Sequence, residues 1–161
     1  SEQVLNKFMA TIVKINANSM HKLKFSKATL FSWLVFIKCH SEIEEDKLTV
    51  LIKRFEASRD FLKGKIKDNL FENYSEWFNP LLNEFPFFEV MMNTYNQRAS
   101  MGSTDALSII YRDIIINVFY FIVVENSNSL LLDFKNNFEE NQNLAITLDE
   151  IYDQYKWGEI F

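Results

Sequence analysis

A chain of 161 residues has room for one ordinary domain with a substantial core and too little for two. Its hydrophobic fraction of 48%, with 16 Phe, excludes disorder over most of the length, and 3 Gly and 2 Pro are too few for the turns of an all-β fold. A net charge of −5 argues against a typical nucleic-acid-binding domain, and the lone Cys39 excludes an intramolecular disulfide framework or a multi-cysteine metal site.

That charge is unevenly spread. Residues 1–41 hold six lysines against Glu2 alone, so the rest of the chain carries the whole acidic excess. Such asymmetry implies a basic face for an anionic partner or attraction between the two halves. No signal peptide is recognisable at the N-terminus, and the apolar runs Leu30–Ile37 and Ile114–Val124 are shorter than the roughly 20 residues that cross a bilayer. A soluble protein of a reducing compartment, the cytoplasm by default, is the expectation. The first residue is Ser1 rather than Met, which fits a domain cut from a longer protein.

From Val4 to Ile15 apolar residues recur at Val4, Leu5, Phe8, Met9, Ile12 and Val13, predicting an amphipathic helix with Lys7 and Lys14 on its outer side. Ser26 suits the N-cap of a second helix, Lys27 to Cys39, apolar on most sides. Ser41 with Glu44 reads as a capping box that opens a third helix, whose stripe is Leu48, Leu51, Ile52, Phe55 and Leu62. Arg59 falls inside that stripe and must snorkel or find a carboxylate. Gly64 ends or bends this helix, and Ile66, Leu70, Tyr74, Trp77 and Phe78 keep helical spacing up to Pro80. Pro80 and Pro86 read as first-turn prolines, the second opening a helix from Phe87 to Arg98.

The stretch from Ser103 to Val124 is almost wholly apolar, broken by Ser108, Arg112, Asp113 and Asn117. Ser103 or Thr104 can cap it, with Asp105 complementing the helix dipole. Its β-branched and aromatic content would also suit a buried strand, but its length, cap and helical neighbours select a helix. A turn over 125–129, a helix from Leu130 to Phe138, and a capping box of Thr147 with Glu150 complete the chain. The fold class is therefore all-α, a single domain over 1–161 with seven or eight helices packed around a central apolar helix at about 104–124.

The chemistry is sparse. His21 and His40 are far apart, no Glu-x-x-His pair occurs, and three glycines build no phosphate loop, so no cofactor and no metal is expected. Cys39 closes an apolar helix, a poor setting for a nucleophile, so no catalytic residue is assigned. Arg98, Ser103 and Thr104 around a helix start form a candidate anion site, although Asp105 already occupies the favourable end of the dipole. Arg112, Asp113 and Arg59 form a candidate polar pocket, with Arg59 as the natural partner of Asp113. A buried ion-pair network that sets helix register is the simpler reading of the same residues. Lys22, Lys24 and Lys27, with Lys53, Arg54, Lys63, Lys65 and Lys67, form a candidate basic surface diluted by Glu56, Asp60 and Asp68.

Three functions follow in order. The first is a non-catalytic interaction or accessory module of a larger protein or assembly, with a protein partner and oligomerisation open to it. The second is a nucleic-acid-contacting domain of a DNA-processing or defence enzyme. The third is a small-ligand binder or enzyme using the pocket near Arg112 and Asp113.

Overall fold

The computed structural model of this chain describes residues 2–17, 23–64, 74–100 and 105–155. Those residues form eight α-helices: α1 (Glu2–Ala17), α2 (Lys27–Cys39), α3 (Glu45–Leu62), α4 (Tyr74–Glu84), α5 (Pro86–Ser100), α6 (Ala106–Val123), α7 (Ser129–Asn141) and α8 (Leu144–Gln154). No strand occurs among them, and α6 packs against α2, α3, α5, α7 and α8.

The middle of α6 is buried without interruption from Tyr111 to Tyr120. Its Phe119 meets Phe55 of α3 edge-on at 5.5 Å and stacks on Phe88 of α5 at 5.7 Å. Trp33 of α2 reaches the same cluster through Phe55, also edge-on at 5.5 Å. By length and composition this helix could span a membrane, with a mean hydropathy of 1.8 over its 18 residues. Here protein covers most of it, as expected for a core helix that is apolar all round.

Several helix ends differ from the sequence reading. α6 is capped by Asp105, whose Oδ1 accepts from Ser108 N at 2.9 Å and whose Oδ2 accepts from Ser108 Oγ at 2.9 Å. Ser103 and Thr104 lie outside the described residues. α3 starts at Glu45 without a side-chain cap, and Ser41 sits in the preceding turn. α8 starts at Leu144, where Asn143 Oδ1 accepts from Ile146 N at 3.0 Å, and Thr147 is a buried interior residue. Pro80 stands inside α4 rather than in its first turn, while Pro86 does open α5. Ser26 caps α2 through Thr29 N, and Gly64 follows α3 with a left-handed φ of 70°.

The orientation of α1 is the largest correction. Phe8, Thr11 and Ile15 face the core, whereas Leu5, Met9 and Val13 are 44%, 51% and 65% exposed. Lys7 is turned inward, donating to Ile43 O at 2.6 Å and Ser41 O at 3.3 Å. Apolar residues span more of this helix than one neighbour can cover, so packing chose one flank, and the carbonyls of the α2–α3 turn claimed Lys7.

Candidate functional site

Arg59 is buried at the junction of α2, α3 and α5, 7% exposed. Its Nη1 pairs with Glu56 Oε2 at 2.8 Å and reaches Thr29 Oγ1 at 3.4 Å, while Nε donates to Asn96 Oδ1 at 2.9 Å. Asn96 Nδ2 returns a bond to Arg59 O at 3.3 Å, and Trp33 Nε1 donates to Glu56 Oε1 at 2.7 Å. The guanidinium also lies over the Tyr95 ring, 4.7 Å from its centroid. Burial alone would lower the Arg59 pKa, but Glu56, Tyr95 and Asp60 outweigh it and raise it. The Tyr95 phenol is pushed well up, first by burial and then by Glu56, so it stays protonated. This is a closed network, with a counter-ion one turn away on the same helix.

Asp113 was expected to be the partner of Arg59. It is not. It lies where α6 meets α2, beside the Ser32 hydroxyl, which also donates to Ala28 O at 3.2 Å. Burial pushes the Asp113 carboxyl up to about 7, with Arg112 and Ser32 pulling it partly back, and its Oδ1 accepts no hydrogen bond. Arg112 is 2% exposed and acts, like Arg59, on the Tyr95 hydroxyl. The two arginines therefore converge on Tyr95, while the carboxylates Glu56 and Asp113 do not share a partner.

Further along the same contact, Asn117 Nδ2 donates to Asp113 O at 2.8 Å, which leaves Asn117 Oδ1 as acceptor for His40 Nε2 at 2.8 Å. His40 therefore carries a proton on Nε2. Its ring sits between Phe36 and Tyr120, at 4.4 Å and 4.7 Å. Residue type and spacing gave no sign of this link, because His40 and Asn117 are 77 positions apart. Neighbouring Cys39 is half-buried, and burial followed by the nearby Asp113 raises its thiol pKa, the opposite of what a nucleophile requires. His21 lies outside the described residues.

Arg98 is likewise engaged. Its Nη1 donates to Ser108 Oγ at 2.8 Å, and its guanidinium lies 5.8 Å from the Tyr111 ring centroid. With Asp105 capping the same turn, the start of α6 is a closed cap and offers an anion little. Of the basic candidates, Lys24 and Lys27 are exposed, Lys53, Arg54 and Lys63 are half-buried, and Lys22, Lys65 and Lys67 lie outside the described residues. Among the described residues no three His, Cys, Asp or Glu side chains gather at metal-binding distance.

The open concavities lie elsewhere. One cleft of about 430 Å³ is edged by Arg54, Glu84, Asn126, Ser127 and Asn128. A second, of about 330 Å³, runs between α5 and α7 and is lined by Phe85, Pro86, Phe87, Val90, Leu131 and Leu132, with Glu84 and Lys135 at its rim. It adjoins a depression of about 140 Å³ through Phe87 and Val90, reaching Met91, Phe134, Phe138 and Leu144. Val90 and Leu132 are 53% and 41% exposed there. Comparison with known protein families, with curated proteins and with solved structures finds no match to this chain.

Proposed function

We propose that this chain is a non-catalytic helical interaction module of a larger protein or assembly, and that a partner seats an apolar segment in the α5–α7 cleft. One contrast carries the reading. Arg59, Glu56, Arg98 and His40 are engaged inside the fold, while large apolar side chains line an open cleft with charge only at its rim. A few aromatic and aliphatic anchors in a concave site with a polar rim are the usual anatomy of a protein-binding surface. Nucleic-acid contact draws less support, since half of the basic candidates inside the described residues are partly buried and interleaved with Glu56 and Asp60. A ligand pocket at Arg112 and Asp113 draws less still, because both are in the core and line none of the clefts above.

The test is a photoreactive residue at Val90 in the source cells, with the same residue at exposed Lys24 as control. The expected result is a discrete crosslinked protein at Val90 alone, lost when Leu132→Asp places a charge in the cleft. Equal labelling at both positions, or labelling indifferent to Leu132→Asp, removes this reading.

A further inference from the structure

We propose that two copies of this chain associate through α1, antiparallel, about a two-fold axis passing beside Met9. Leu5, Met9 and Val13 are spaced four apart, so they form one line along the helix, and they are among the exposed large apolar residues of the molecule. The remaining exposed positions between Glu2 and Lys14 are Gln3, Asn6 and Ala10, so this outer face carries no charge over more than two turns. A helix that meets only water ordinarily presents charged residues there.

A second copy is the occupant that this face fits by its own symmetry. Leu5 and Val13 stand equally far from Met9, so a two-fold axis sets Met9 on Met9 and Leu5 on Val13 at both ends, the self-complementarity of an isologous contact. Charge selects the antiparallel sense. Glu2 lies in the first turn and Lys14 in the last, so each Glu2 comes beside the other copy's Lys14 and the helix dipoles oppose. A parallel pair would set Glu2 against Glu2. Lys14 already meets Glu45 at 2.8 Å, yet its side chain is 52% exposed and an ammonium has three protons to give. Ala10 and Ala17, both exposed, allow the helix axes to approach closely.

A 16-residue helix is about 24 Å long, so the contact is smaller than the ~800 Å² per partner of tight complexes and should dissociate in the micromolar range. Sedimentation velocity on the whole chain across concentrations tests it. The mass should rise from the 19.1 kDa of one chain towards twice that value. Met9→Glu, which sets two carboxylates on the axis at a half-exposed position, should hold the protein monomeric with its helicity and Tm unchanged. Glu2→Lys should weaken the dimer about threefold to tenfold, and Glu2→Lys with Lys14→Glu should recover it. In a Cys39→Ser background, Met9→Cys should form an intermolecular disulfide on mild oxidation and Lys24→Cys should not. A monomer at all concentrations, or a dimer indifferent to Met9→Glu, overturns the proposal. Leu132→Asp should leave the dimer intact, which separates this surface from the α5–α7 cleft.

Discussion

Glu56 and Asp113 are both carboxylates in the core, 4% and 6% exposed, and they meet burial in opposite ways. Glu56 has two strong donors, Trp33 and Arg59, and the arginine is held in turn by Asn96, so charge is surrounded by charge and hydrogen bonds. Asp113 has Ser32 beside it, Arg112 in the same helix and an oxygen that accepts nothing, so holding a proton is its cheaper state up to about pH 7. A buried carboxylate costs little only when donors converge on it from separate helices, and α6 does not place Asp113 where they can.

The largest expected effect breaks the closed network. Arg59→Met leaves Glu56 buried without its counter-ion and should cost about 3–5 kcal/mol. Adding Glu56→Gln, which still accepts from Trp33, should recover most of that loss. Chemical denaturation of both variants measures it, and a single variant as stable as the parent would mean that the pair contributes nothing.

The next effect is in pH. Asp113 titrates near 7 in the fold and near 3.8 unfolded, so between those values the folded chain binds more protons. Stability therefore falls as pH rises from about 4 to about 7, by an amount on the order of a few kcal/mol. Asp113→Asn should flatten that slope, standing below the parent at pH 5 and level with it or above at pH 8. Parallel Tm profiles for the two proteins would contradict the burial argument.

The smallest effect sharpens the contrast. Ser32→Ala removes the polar group beside the ionised Asp113 and should cost about 1 kcal/mol at pH 8 and distinctly less at pH 5. Equal losses at both pH values would assign Ser32 to its Ala28 bond rather than to Asp113.

Much of the fold was legible because burial leaves a local imprint. The scarcity of Gly and Pro and the 3.6-residue period announced an all-α bundle, and the greasy run after Asp105 is indeed the helix most others pack on. Caps were read less well. Ser26 was clear, but Ser41 with Glu44 and Thr147 with Glu150 have the right spacing and cap nothing, since Asn143 and the α2–α3 turn set those ends. Of the candidate polar residues, sequence reading rightly required Arg59 to be paired and named the wrong carboxylate.

By itself, then, the sequence determined the class of fold, the central place of α6 and the need for Arg59 to find a counter-charge. Periodicity and the cost of burying charge act within a turn or two of the chain. Only the tertiary structure decided that Arg59 meets Glu56, that His40 meets Asn117, and that α1 turns Lys7 inward and Leu5, Met9 and Val13 out. Those outcomes depend on which helices abut, and abutment is settled by packing over the whole chain, which no local pattern records.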